Sequence, residues 1–195
     1  MKTRLLTLIL ILLLALPHTA LAGEPQIELT RSQKGVRTST DVLLVAMPVA
    51  TLGIAIGKKD WKGIGIGVAE AAGTMAVTYG LKYAIHKRRP DGSDNHSFPS
   101  AHSSLVFTDA SFVMRRYGWK FGVPAYALAG YVAWGRVYGK KHDTWDVLAG
   151  AAIGSAIGLL CTKPFMKNAQ IAPAAMTDPQ TGQFISIGIG GTVNF

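Results

Sequence analysis

Three short polar motifs interrupt a largely apolar chain of 195 residues, and each carries side chains that can bind anions or transfer protons. In chain order they are Lys82-x6-Arg89-Pro90, Pro99-Ser100-Ala101-His102 and Arg136-x5-His142-x3-Asp146. Lysine and arginine can neutralise a phosphoryl group, and the planar fork of arginine matches its oxygens. Two histidines can divide the roles of nucleophile and acid between them. The motifs therefore predict a site for phosphate chemistry.

Helix geometry explains two of the spacings. Asp146 follows His142 by four residues, so a helix starting there places both side chains on one face, where the carboxylate can orient the imidazole. Ser100 is a natural N-cap for the apolar segment that follows it. The free amides behind Ser100, starting with that of Ala101, would then face an anion with the help of the helix dipole.

The three motifs together resemble the signature of the type 2 phosphatidic acid phosphatases, which is K-x6-RP, PSGH and SR-x5-H-x3-D. Class A acid phosphatases and vanadium haloperoxidases share that signature. The resemblance covers roughly residues 42–162, with the same order and spacings. Ala101 stands where the family has glycine, and Gly135 where it has a serine. Because alanine tolerates positive φ poorly, we expect a slightly altered second loop, and the lost serine hydroxyl removes one phosphate contact.

The resemblance also implies roles for the motif residues. His142 would be the nucleophile that forms a phosphohistidine, oriented by Asp146, and His102 would be the acid that protonates the leaving oxygen. The phosphate would be held by Lys82, Arg89, Ser100, Ala101 and Arg136. Neither a metal nor a cofactor is implied.

Five apolar segments must position these motifs: residues 42–57, 64–81, 103–113, 121–135 and 147–162. They predict an all-α bundle of about five to six helices. Hydropathy alone fits a soluble bundle or short transmembrane helices. Gly150, Gly154 and Gly158 share one face of the last segment, and small residues at that spacing let membrane helices approach closely. We therefore favour the transmembrane interpretation.

The ends of the chain differ from the helical domain, for which we expect residues 42–164. Residues 1–22 have a basic start, an apolar run and an Ala20-Leu21-Ala22 cleavage pattern, which together predict a cleaved signal peptide. Residues 23–41 are polar and predict a surface arm. In the tail, 165–195, apolar residues alternate with polar ones from Ile185 onward, which predicts a short β-like segment.

Composition narrows the class of partner. Charged residues make up only 16% of the chain, against about 25% in a typical soluble domain. The net charge of +9 favours anionic partners, and we expect a phosphorylated lipid and a membrane rather than nucleic acid. The single cysteine, Cys161, excludes an intrachain disulfide and a multi-cysteine metal site.

The order of the segments predicts where the site faces. The first two motifs share one loop, and the next two segments cross the membrane and return, so all three motifs lie on one side. After signal cleavage that side is periplasmic. We expect an inner-membrane protein with a periplasmic site, the alternatives being a periplasmic or outer-membrane-associated protein.

The predicted function is hydrolysis of a lipid phosphate or diphosphate through a phosphohistidine. Resemblance offers phosphatidic acid, phosphatidylglycerol phosphate, undecaprenyl diphosphate and lipid A as substrates, without choosing among them. A soluble periplasmic acid phosphatase of broad specificity and a non-catalytic protein that binds anionic lipids are the alternatives.

Overall fold

Five helices form the body of the protein in the computed structural model, which describes residues 27–165, 169–177 and 184–193. They are α1 (Arg31–Gly57), α2 (Trp61–Ile85), α3 (Ala101–Tyr117), α4 (Trp119–Tyr138) and α5 (Thr144–Cys161). The predicted signal peptide, residues 1–22, lies outside the described residues. The five helices confirm the all-α prediction for the bundle.

Successive helices alternate in direction, so one end of the bundle collects all three motifs. Hydrogen bonds join the start of α1 to the end of α4 (Asp41 to Arg136), and the start of α3 to the start of α5 (Ser100 to Asp146). Lys82, near the end of α2, reaches the loop that leads into α3. We call this the motif end of the bundle.

The first helix corrects the predicted N-terminal arm. Residues 23–41 are expected to lie on the surface as an arm, but α1 already begins at Arg31, where Thr30 and Gln33 form a reciprocal capping box. Two polar residues of its first turns face the protein, because Arg37 pairs with Asp91 and Asp41 pairs with Arg136. Polar side chains at this end of α1 therefore form ion pairs with residues at the motif end of the bundle.

The glycines of α5 allow an unusually close approach to α3. A Cβ atom added at Gly150, Gly154 or Gly158 would lie 2.6, 2.1 or 2.8 Å from a carbonyl oxygen of α3. No side chain fits at these distances, and backbone contact of this kind is typical of small-residue packing between membrane helices. Since α5 follows His142 and His102 lies in the first turn of α3, this contact holds two motifs in register.

Apolar side chains cover much of the outer surface as well as the core. The core lies between α1, α3 and α4, with Leu44, Val106 and Val132 at its centre. Outward-facing Val45 and Leu160 are 43% and 84% exposed, and similar residues occur along every helix except α3. Helices α1, α2 and α5 are long and apolar enough to cross a membrane. An apolar outer surface of this extent is typical of a membrane protein.

The C-terminal residues, 164–195, form a separate unit. In it, β1 (Ala169–Thr177) and β2 (Phe184–Val193) pair antiparallel. An isolated two-stranded hairpin is only marginally stable in water. The β-like tail stays a prediction. No candidate site residue lies in it.

The contact between α3 and α5 makes a stability prediction. We expect Gly154→Ala to lower the free energy of unfolding by about 1–3 kcal/mol, as overpacking does, because the new Cβ would lie 2.1 Å from the Ser104 carbonyl oxygen. Thermal unfolding of the purified protein in detergent measures the change. Gly73→Ala on α2 is the matched control, since a Cβ there meets nothing within 4 Å. Equal melting temperatures for the two variants would contradict the predicted close contact.

Candidate active site

The loop between α2 and α3 is fastened to the bundle by the first motif. Lys82 is buried, and its Nζ donates to the carbonyl oxygens of His96 at 2.7 Å and Ser97 at 3.3 Å. Arg89 Nε donates to Asp94 Oδ2 at 2.7 Å within the same loop. The first motif thus shapes the loop that covers the site, in addition to supplying positive charge.

Arg89 also contacts the predicted nucleophile directly. Its Nη1 lies 3.1 Å from Nε2 of His142 and 3.3 Å from the carbonyl oxygen of Lys141. A guanidinium can only donate, so Nε2 of His142 accepts and carries no proton. The proton of the neutral ring is therefore on Nδ1, which leaves the lone pair of Nε2 beside the arginine that is predicted to hold phosphate.

Nδ1 of His142 faces a carboxylate that is held from several sides. It lies 3.4 Å from Oδ2 of Asp146, which is fully buried. Asp146 also accepts from the Asp143 amide at 3.1 Å, from Lys87 Nζ at 2.8 Å and from the hydroxyl of Ser97. These contacts leave the carboxylate little freedom to turn, so it fixes the tautomer and the orientation of the imidazole.

A second cluster surrounds His102 at the start of α3. Its Nε2 lies 2.8 Å from Oδ1 of Asp41, which also accepts from Arg136 Nη1 at 2.7 Å. Asp41 on α1 thus joins the predicted acid to a predicted phosphate ligand. Arg136 is buried, and its Nε has no hydrogen-bond partner among the described residues. A buried guanidinium N–H without a partner is costly, and an anion at the site would satisfy it.

The two clusters belong to one site. The amide of Ser100 donates to the carbonyl oxygen of Asp146 at 2.9 Å, which joins the start of α3 to the start of α5. The positive charges of Arg89 and Arg136 also act on the imidazoles of both His102 and His142. The structure therefore brings all three motifs together.

The start of α3 has the predicted capped geometry. The hydroxyl of Ser100 accepts from the Ser103 amide at 3.4 Å. Ala101 is the first helical residue and is not among the residues with positive φ. The alanine at this position therefore causes no backbone strain, and the slightly altered loop stays a prediction.

A close contact with α1 explains why residue 135 is a glycine. A Cβ added there would lie 2.5 Å from Cγ2 of Thr40 on α1, so the family's serine does not fit. Oγ1 of Thr40 instead accepts from Arg136 Nη1 at 3.2 Å. A hydroxyl is therefore still present beside this arginine, but a different helix supplies it.

Sequence reasoning missed the partners of the motif residues. Asp41, Asp94 and Ser97 contact the predicted site side chains but lie outside the three motifs, and Lys87 occupies an unspecified position of the first motif. One signal was available for Asp41, because a carboxylate at the edge of an apolar segment requires a partner. Loop residues such as Ser97 give no comparable signal.

The electrostatics of the site keep its central imidazole neutral. Burial lowers the pKa of His142 well below its usual value, and the positive charges of Arg89, Arg136 and Lys82 lower it further, against the opposing effect of Asp146. Burial alone would raise the pKa of Asp94, but the His96 amide and the Arg89 guanidinium outweigh it and lower that pKa. At neutral pH the site therefore offers a nucleophilic lone pair among fixed cations.

The described residues hold no group of three or more His, Cys, Asp or Glu side chains that could bind a metal ion. The arrangement is suited to binding a tetrahedral oxyanion with arginine and lysine. That the reaction needs no metal stays a prediction.

Fold and motifs together define a helical membrane protein in which both motif histidines lie at the same end of the bundle, within the influence of the same two arginines. The chain belongs to the PAP2 superfamily, whose family model matches residues 62–170. This confirms the resemblance that the three motifs indicate.

Two curated relatives are similar to parts of the chain. The lipid A 4'-phosphatase of Helicobacter pylori is 30% identical over 130 residues, which cover 61% of this chain and 66% of that protein. The lipid A 1-phosphatase of Porphyromonas gingivalis is 34% identical over 100 residues, 48% of this chain and 22% of that protein. The chain therefore spans less than the full length of either relative.

Two solved structures share the fold. The transmembrane PAP2-type phosphatidylglycerolphosphate phosphatase of Bacillus subtilis has a TM-score of 0.56 at 21% identity, over 82% of this chain and 92% of that chain. Aquifex aeolicus LpxE has a TM-score of 0.50 at 16% identity, over 71% and 98% of the two chains.

The lowered pKa of His142 makes a prediction about stability and pH. Below its usual pKa of about 6.5 the unfolded chain binds a proton on this ring that the folded protein excludes, so acid favours unfolding. The stabilisation is complete above that pH and is lost as the pH falls below it. We expect wild-type protein to lose more thermal stability than His142→Gln between about pH 7 and pH 5. Parallel curves for the two proteins would contradict a buried, neutral His142.

Proposed function

We propose that this protein hydrolyses a lipid phosphate through a phosphohistidine on His142. The observation that carries the proposal is the position of Nε2 of His142, which lies 3.1 Å from Arg89 while Nδ1 faces Asp146. A phosphoryl group bound by Arg89 would lie beside an unprotonated ring nitrogen whose orientation is fixed. Proximity of this kind supplies much of the advantage of an enzyme-bound nucleophile.

The first step transfers the phosphoryl group to the enzyme. The lone pair of His142 Nε2 forms a bond to phosphorus, and the bond between phosphorus and the lipid oxygen breaks with its electron pair on that oxygen. His102 donates a proton to the departing oxygen. Arg89 and Arg136 stabilise the charge on the phosphoryl oxygens, and Asp146 stabilises the positive charge that develops on His142.

The second step regenerates the enzyme. His102, now without its proton, accepts one from a water molecule that attacks phosphorus, and the bond between phosphorus and Nε2 breaks. Inorganic phosphate leaves, and both imidazoles return to their starting states. Asp41 contributes to both steps, because its carboxylate at 2.8 Å holds the ring of His102 and favours its protonated form.

The surface and the relatives favour a lipid as substrate. Outward-facing apolar side chains and three helices able to cross a membrane support a site at a membrane, and they fit the soluble phosphatase alternative poorly. Both curated relatives are named for action on lipid A. We infer that phosphorylated glycolipids of this kind are the first substrates to test, followed by phosphatidic acid.

Exposed aromatic residues at both ends of α4 support a membrane crossing by this helix. Trp119 begins α4 and is 69% exposed, whereas Trp134 and Tyr138 lie near its other end at 52% and 39%. At 1.5 Å per residue α4 is about 30 Å long, close to the thickness of the hydrocarbon core. Aromatic residues at both ends are typical of the two membrane interfaces. With the mature N-terminus outside, the motif end is then periplasmic.

Loss of the nucleophile tests the proposed reaction. We expect His142→Ala to lower phosphate release from a lipid phosphate by a factor of about 10⁴ or more, because no other side chain can form the covalent intermediate. The measurement is inorganic phosphate released by purified protein. His96→Ala is the control, since that ring packs on Tyr83 and His86 rather than in the site. Activity at the wild-type level in His142→Ala would refute the assignment.

The proposed acid is tested with leaving groups of different basicity. We expect His102→Ala and Asp41→Asn to lower kcat/KM, which reports the first step and not the hydrolysis of the phosphohistidine, by about 10²-fold or more for an alkyl phosphate, whose leaving oxygen needs a proton. The loss should be much smaller for p-nitrophenyl phosphate, whose leaving group departs as an anion. Equal losses on both substrates would show that the pair holds the site together without supplying a proton.

A further inference from the structure

A partly open cavity lies inside the bundle, below the site and away from the motif end. It has a volume of about 130 Å³ and lies between α1, α2 and α3. An apolar cavity of about 150 Å³ is large enough to bind benzene. The space therefore suits a short stretch of hydrocarbon rather than a whole lipid.

The cavity begins directly beneath the two residues of the acid cluster. Leu44 lines it from α1, one helical turn after Asp41, and Leu105 lines it from α3, one turn after His102. Residues three positions apart lie on the same face of a helix. The upper wall of the cavity is thus continuous with the part of the site at which the leaving oxygen must lie.

The walls are predominantly apolar, although two carboxyl groups contribute to them. Asp109 accepts from the hydroxyl of Thr51 at 3.0 Å, and Glu70 accepts from Thr162 at 2.7 Å. Each acid thus has a hydrogen-bond partner on a neighbouring element of the bundle. Most of the remaining lining is aliphatic or aromatic, which suits a hydrocarbon and not a second phosphate.

The opening and the floor of the cavity set the direction in which a chain would enter. Val49 lines the cavity and is 50% exposed, so one side opens on the surface that faces the lipid. Gly63, Ile64 and Ala55 line the lower end. About one turn above them on α2, a Cβ at Gly67 would lie 3.8 Å from the ring of Phe112. From His102 to Phe112 the helix rises about 15 Å. A chain that enters from the membrane beside the site therefore has a limited depth available.

We propose that this cavity holds the part of the substrate's hydrocarbon chain nearest the phosphate, and that Gly67 leaves room beside Phe112 for the chain to reach the lower part of the cavity. The inference rests on the proposed function, because it requires a lipid whose phosphate occupies the site. The absence of a side chain at Gly67 is what leaves the lower part of the cavity open. A larger side chain there would shorten the cavity without touching any residue of the site.

The test compares Gly67→Leu with the wild-type protein on two lipids that differ only in chain length. Dihexanoyl and dipalmitoyl phosphatidic acid are presented in the same detergent micelles, and p-nitrophenyl phosphate serves as a substrate without a chain. We expect Gly67→Leu to lower kcat/KM about tenfold or more for the long-chain lipid, since buried methylene contacts are lost. Activity on the short-chain lipid and on p-nitrophenyl phosphate should change little.

Gly65→Leu is the matched control on the same helix. A Cβ at Gly65 meets nothing within 4 Å, and Gly65 does not line the cavity, so neither lipid should be affected. Equal losses on both lipids in Gly67→Leu, or no loss on either, would overturn the inference while leaving the proposed phosphatase intact. A wild-type protein that releases phosphate from neither lipid nor p-nitrophenyl phosphate would overturn both.

Discussion

The buried carboxylate of Asp146 organises the motif end of this protein. A charge taken out of water must be compensated by close donors, and here the donors come from Lys87, Ser97, the Asp143 amide and the ring of His142. Two of these donors lie in the loop between α2 and α3, and the other two lie next to each other at the start of α5. The need to compensate one carboxylate therefore fixes the covering loop, the start of α5 and the imidazole together.

A single carboxylate, that of Asp41, also holds the second cluster together. Asp41 compensates Arg136 and holds His102, so a single carboxylate on α1 serves a cation from α4 and an imidazole from α3. The two carboxylates thus divide the site, one beside each histidine. Because the cations outnumber their carboxylate partners around the rings, the site retains a positive charge that suits an anionic phosphoryl group.

The sequence predicted that the motif residues lie at one end of the bundle, but it did not predict the residues that hold them there. The three motifs have fixed internal spacings that translate directly into helix ends, so the meeting of His102, His142 and Asp146 at one end of the bundle followed from the order of the segments. Glycine spacing in α5 likewise predicted a close helix contact. Ser97 and Lys87 could not be found this way, because their partners are distant in the chain and only the folded loop brings them near.

The predicted N-terminal arm differs from the structure because polar residues were taken to be solvated. Polar residues before an apolar segment usually indicate a solvated stretch, and residues 31–41 have that composition. Here their partners are buried charges on α4 and on the loop after α2, which turns an apparently exposed segment into the first turns of α1. Composition shows that a segment is polar, but not whether its polar side chains pair with water or with other residues of the protein.

The contact between Gly135 and Thr40 has a consequence for how the limits of the catalytic unit are drawn. The match to the family model begins at residue 62 and includes all three motifs, yet Thr40 and Asp41 precede it and contact Arg136 and His102. An expressed fragment cut to the boundaries of that match would retain every signature residue but lack α1. Such a minimal unit would lose the hydroxyl and the carboxylate that α1 contributes, so the smallest functional piece of this chain is larger than its recognisable motifs.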